Sequence, residues 1–202
     1  MEVLSWLHKL CRHMKPSDYT LIQACTFAYH CTHLLSQVRK VLTGNSSLVL
    51  ATYLSTLQQM DEIEKIWCSS YDSAQPSIWS IGVHAYQGNF QMHLSVNVLA
   101  LLTRVRQSGC SQQQLTQITV MQERCIATFR ATATKILDML GVSQSKSNLP
   151  GDRFSLGWGD AVMVYGSLRT ITISPISLHW QRNAASRICA IIRERLGFQF
   201  LL

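Results

Sequence analysis

The chain is poor in the features that mark a chemistry or a compartment. Proline (4) and glycine (10) are scarce among its 202 residues, while 47% are hydrophobic. That composition excludes a disordered chain. The seven cysteines (Cys11, Cys25, Cys31, Cys68, Cys110, Cys125 and Cys189) are odd in number, and none falls in a Cys-x-x-Cys pair. A secreted disulfide framework, a zinc ribbon and a thioredoxin-like site are therefore not indicated, and a reducing compartment is expected. The start, Met-Glu-Val-Leu-Ser-Trp-Leu-His-Lys-Leu, has no basic region followed by a clean apolar stretch, so it does not read as a secretory signal. The most apolar run, Leu94 to Leu102, is broken by Asn97 and is far shorter than the ~20 residues of a membrane span. No Gly-x-Ser-x-Gly, P-loop or Gly-x-Gly-x-x-Gly occurs. The chain is expected to be soluble, intracellular and without catalytic residues or a cofactor.

What the chain does have is helical periodicity. Its length fits one domain and suffices to bury roughly 70% of the unfolded surface without staples. From Asp18 to about Leu42, apolar residues recur at three and four, and Gly44 follows as a stop. A second stripe runs from Leu50 to Trp67. Cys68 to Gly88, with Pro76 and Gly82, reads as a connector with one short turn near Ser77–Ile81. Asn89 is placed to cap a third helix, Phe90 to Arg106, apolar on most sides and therefore central. Ser111 caps a long helix from Gln112 to Leu140, with Gly141 just past its end. Asp160 to Ile173 is ambiguous, because Ile171-Thr172-Ile173 favours an extended form. Ser174-Pro175 reads as the cap of a last helix ending at Leu196. The expected fold is all-α, an irregular bundle of six or seven helices forming a single domain. In it residues 1–141 make the bundle, 142–159 a flexible loop, and 160–202 C-terminal helices packed on the same bundle.

Charge is unevenly distributed. Residues 1–100 carry six basic and six acidic side chains, and residues 101–202 carry twelve and five, so the whole net +7 lies in the second half. This invites a nucleic-acid reading. Projected at 100° per residue, however, Arg182 and Arg193 lie within roughly 20° of each other and Arg187 about 140° away. Glu194 interrupts them and no aromatic platform accompanies them. Arg104 and Arg106 close a helix C-terminus, where cations are favourable in any protein. A basic surface facing an acidic protein partner fits better than direct DNA contact.

Other clusters read as ordinary surface or core. His30, Cys31 and His33, with His8, Cys11 and His13 upstream, are the densest potential metal ligands. Cys31 projects about 100° from His30 on a helix, so these three cannot share one ion, and no metal is expected. Asp61, Glu62 and Glu64, with Lys65, read as a solvated helix face. Aromatics gather around Trp67, Tyr71, Pro76 and Trp79, and again at Trp158 and Tyr165. Most simply they anchor loops on the bundle. A groove for a partner or ligand, lined by Trp67, Trp79, His93, Asn97, Trp158 and Tyr165, is the alternative.

The run Leu57-Gln-Gln-Met-Asp61-Glu-Ile-Glu-Lys-Ile-Trp67, followed by Pro76 and Trp79, resembles the C-terminal regulatory half of fungal zinc-binuclear-cluster transcription factors. The helix bearing His93, Asn97, Arg104 and Arg106 is similar to that family's Asn/Arg-bearing helix, although Val98-Leu99 stands where an aromatic-Arg pair is usual. Trp158 through Tyr165 to Arg182 and on to Gly197-Phe198 resembles the family's terminal helix pair. The resemblance implies an all-helical, nuclear domain of a transcription regulator, frequently attached to fungal secondary-metabolite gene clusters. The family's six-cysteine DNA-binding cluster is absent from this sequence. That leaves a truncated relative, or a protein acting through partners, with DNA reached only indirectly or through a missing domain. A second hypothesis is a helical enzyme or metabolite-binding protein using the aromatic groove. It predicts a pocket gathering His84, His93 or Asn97.

Overall fold

The computed structural model describes residues 16–43, 58 and 59, 78–142 and 158–196. Among the described residues the protein is all-helical, with five long helices and no strand. These are α1 (Pro16–Thr43), α2 (Ile78–Gln107), α3 (Gln112–Met139), α4 (Trp158–Ile173) and α5 (His179–Leu196). Five stand against the six or seven expected. The second stripe, Leu50 to Trp67, lies outside the described residues apart from the helical pair Gln58–Gln59.

α2 is the hub. Its 30 residues span about 45 Å and pack against α1, α3 and α4, while α4 packs on α5 and α5 touches α3. Central position explains its composition: apolar and small residues surround it on all sides, as a helix with three neighbours requires. The expected connector over 68–88 is corrected in its second half, because α2 runs unbroken from Ile78 through Gly82 and Gly88, while 68–77 lie outside the described residues. Gly in a helix costs roughly 1 kcal/mol against Ala. At Gly88 the fold needs that lost side chain, since a Cβ there would stand 2.8 Å from Ile136 Cδ1 and 3.0 Å from Thr132 Cγ2 of α3. Asn89 is accordingly no cap. It lies mid-helix, and its Oδ1 accepts from Thr170 Oγ1 at 2.7 Å.

α3 starts and stops where its sequence says. Ser111 and Gln114 form a reciprocal capping box, and Gly141 beyond the end takes φ +76°, a conformation Gly adopts freely. Its inward stripe is Ile118, Met121, Cys125, Phe129, Thr132, Ala133, Ile136 and Leu137. Val142 is buried, so the expected loop does not begin there, and Trp158–Gly159 already belong to α4. The residues between lie outside the described ones.

The ambiguity over 160–173 resolves as helix. Burial of Ala161, Val164, Leu168 and Ile171 outweighs the β-branched bias, and Thr170 and Thr172 return their hydroxyls to the carbonyls of Gly166 and Leu168. The cap of α5 is also corrected. Ser174-Pro175 belongs to a turn, and the helix starts at His179, with Gln181 Oε1 accepting from the Leu178 N–H at 2.9 Å.

Two apolar clusters result. The larger joins α2 (Ala85, Met92), the C-terminal half of α3 (Phe129 to Leu140), α4 (Ala161 to Ile171) and α5 (Ala184 to Ile192). The smaller joins α1 (Cys31, Leu34, Leu35, Val38), the rest of α2 (Leu94 to Val105) and the N-terminal half of α3 (Ile118, Met121, Cys125). No helix among the described residues is long and apolar enough to cross a membrane.

Candidate functional site

On α1, Thr32, Leu35, Ser36, Arg39 and Lys40 recur at helical spacing and so share one face. Phe90 and His93 do the same on α2. These seven residues line a surface cleft of about 440 Å³. Leu35 is buried and contributes to the smaller apolar cluster, and Phe90 packs against that cluster. Tyr86 fixes Phe90 edge-on at 4.9 Å between ring centroids. The floor is therefore apolar and belongs to the core. Its rim is basic, because Arg39 and Lys40 are both exposed.

Asn97 holds the rim in place from α2. Its Nδ2 donates to the His93 carbonyl at 2.8 Å, which turns Oδ1 toward α1, where the Arg39 Nε donates to it at 3.5 Å. His93 is tied to α4, with its Nε2 3.2 Å from Thr170 Oγ1. The Thr170 hydroxyl has a single proton, directed at Asn89 Oδ1 at 2.7 Å and shared with the Gly166 carbonyl at 3.1 Å. Hence His93 Nε2–H donates to the hydroxyl, and Nδ1 of the neutral ring remains an acceptor. Burial, and secondarily the Arg39 guanidinium, hold the His93 pKa below its ordinary 6.5. At neutral pH the ring is uncharged, so the cleft's positive charge comes from Arg39 and Lys40.

Of the six residues expected to line a groove, His93 and Asn97 come together here. Tyr165 does not join them; it is buried in the larger cluster. Trp67 lies outside the described residues, as do the side chains of Trp79 and Trp158, whose backbones sit in the first turns of α2 and α4. His84 is also buried on α2. Thr32, Ser36, Arg39, Lys40 and Phe90 escaped the sequence reading as site residues. The signal that could have found them is their spacing on the polar side of the α1 stripe, together with a helix α2 that contains no Asp or Glu.

The chain matches no family model, no curated protein and no solved structure.

Elsewhere the side chains do structural work. Cys31 faces the smaller cluster, where burial pushes its thiol up to about 12, while His33 is exposed and takes Gln37 at 3.0 Å. Among the described residues no three His, Cys, Asp or Glu are grouped to hold a metal ion; His8, Cys11 and His13 lie outside them. Burial likewise raises Cys189 to about 11, although Arg193 and Arg169 pull it down in part. A thiol so rarely ionised is a poor nucleophile.

Proposed function

We propose that the chain is a non-enzymatic, all-helical regulatory domain working by contacts with other proteins, of the transcription-regulator kind that its sequence resembles. The α1–α2 cleft supports this reading. Among the described residues it is open and walled by two helices, apolar below and basic above, which suits docking better than enclosure. Small-ligand sites bury roughly 70–90% of what they hold, and a surface cleft of this kind does not surround a ligand to that extent. In this reading the domain works in the nucleus, on genes such as those of fungal secondary metabolism, and carries no cofactor. It reaches DNA through a partner or a separate DNA-reading domain.

The test is a fusion of the full chain to an unrelated DNA-binding domain, read on a reporter gene. Output several-fold above or below that of the DNA-binding domain alone is expected. Output unchanged in both directions would sink the proposal. A gel shift at low salt should show no retention of DNA by the unfused chain; salt-sensitive retention would assign it DNA contacts of its own.

One observation favours a second reading, a small-metabolite binder. A neutral, partly buried His93 with an acceptor nitrogen lies at the cleft wall beside Arg39. Saturable thermal stabilisation by small carboxylates would support it.

A further inference from the structure

We infer that Arg169 of α4 and Arg193 of α5 together bind the phosphate group of a small molecule, at the seam where the two helices pack. Neither helix lines the α1–α2 cleft, so the site does not depend on the regulatory reading above.

Two like charges are gathered here without a counter-charge. Arg193 lies one turn beyond the buried Cys189 on α5, and Arg169 approaches the same thiol from α4, which packs on α5. Both guanidiniums stand close enough to draw that thiol's pKa down, so they share one stretch of the seam. Among the described residues no carboxylate is held against either of them. The acid of α5, Glu194, is exposed and projects about 100° away from Arg193. That of α4, Asp160, stands nine residues before Arg169, about 14 Å along the helix axis.

Arg193 also carries an unmet donor. Its side chain is partly buried, and its Nε is out of reach of solvent with no hydrogen bond. A buried donor left unpaired is costly. Turning the guanidinium fork outward onto an oxyanion beside Arg169 would remove that cost, and with it the repulsion between the two cations. The ligand's chemistry follows from the count of charges. A phosphate monoester carries about −1.5 to −2 charges at neutral pH and three acceptor oxygens, which suits one fork from each helix. Cys189 adds no reaction to the site, because its thiol stays protonated. The pair binds, and nothing is transferred.

The probe is phenyl phosphate, titrated into the full chain by calorimetry at constant ionic strength. Saturable binding is expected. Arg169→Gln, at an exposed position, should lower affinity at least tenfold, while Arg187→Gln, exposed elsewhere on α5, should change it less than about twofold. Benzenesulfonate, with the same ring and a single charge, should bind at least tenfold more weakly than phenyl phosphate. That comparison uses the unaltered chain, so it stands even if a variant misfolds.

Inorganic phosphate binding as tightly as the ester supports the pair and names the free ion as ligand; weaker binding supports it and names an ester. Equal binding of phenyl phosphate and benzenesulfonate overturns the inference. So does an unaffected Arg169→Gln chain that circular dichroism shows folded. Retention of DNA at low salt that Arg169→Gln abolishes assigns the arginines to a nucleic-acid backbone and overturns the small-molecule site.

Discussion

The two apolar clusters share α2 and α3 yet treat their polar groups differently. Around the larger one, several buried polar side chains are turned inward onto named partners, while Ser174 Oγ, Trp180 Nε1 and Arg193 Nε are buried without a hydrogen bond among the described residues. Gln181, fully buried, donates Nε2 to the Arg130 carbonyl and to Thr134 Oγ1, both at 2.8 Å, and receives the Leu178 N–H. Ser167 donates to the Ala85 carbonyl across α2 and α4, and Ser177 to the Ile171 carbonyl at 2.7 Å. Arg130 Nε closes the α4–α5 turn on the Ile176 carbonyl at 2.9 Å. On the smaller cluster's side the polar groups of α1 point to solvent and line the cleft. Polar residues satisfied inside a fold stabilise it. In the proposed reading the α4–α5 end is scaffold and the α1–α2 end is the working surface.

That contrast can be broken at several points. Phe129→Ala, in the larger cluster, should cost ~3–5 kcal/mol, and Leu101→Ala, in the smaller, ~2–5 kcal/mol. Urea unfolding should stay a single transition in both variants, because α2 and α3 run through both clusters. Two separated transitions would show that the clusters are independent. Gln181→Leu should cost ~1–3 kcal/mol, since Thr134, the Arg130 carbonyl and the Leu178 N–H all lose a buried partner. A neutral effect in thermal melts would remove the clasp from the account.

His93 gives a smaller, pH-dependent effect. Its folded pKa lies below 6.5, so between 6.5 and that lower value the unfolded chain binds more protons than the folded one. Stability should therefore fall as pH drops through that window, and His93→Gln should flatten the slope. An unchanged slope in urea midpoints would place the titrating group elsewhere. Smallest of all, Asn97→Ala should change stability by less than about 1 kcal/mol in thermal melts, as loss of one exposed hydrogen bond to Arg39 predicts.

Much of the helical frame is legible in the sequence. The stripe Ala28, Cys31, Leu34, Leu35 and Val38 on α1 is the buried one, as is that of α3 from Ile118 to Ile136. Ser111 and Gly141 mark the ends of α3 because caps act locally. Where neighbours decide, local signals mislead. Gly82 and Gly88 look like breakers, yet α2 continues through both, and at Gly88 α3 packs too closely for a side chain. Ile171 and Ile173 favour strand, but Ile171 is buried between helices. α5 is capped by Gln181, a residue three positions inside the helix, so Ser174-Pro175 pointed too early. Of the cleft's lining residues the sequence singles out His93 alone, with Asn97 one turn further along α2. The α1 half stays hidden, because Arg39 and Lys40 look like any solvated helix face until α2 is placed beside them. Tyr165, aromatic and polar-tipped, is buried in the larger cluster and contributes nothing to the cleft.

The most direct test of the proposed working surface is the reporter fusion of the full chain carrying Phe90→Ser, in the cleft, beside one carrying Arg187→Ser, on an exposed position of α5. The account predicts that output is lost with the first, in a chain that circular dichroism shows folded, and kept with the second. The reverse pattern would contradict it.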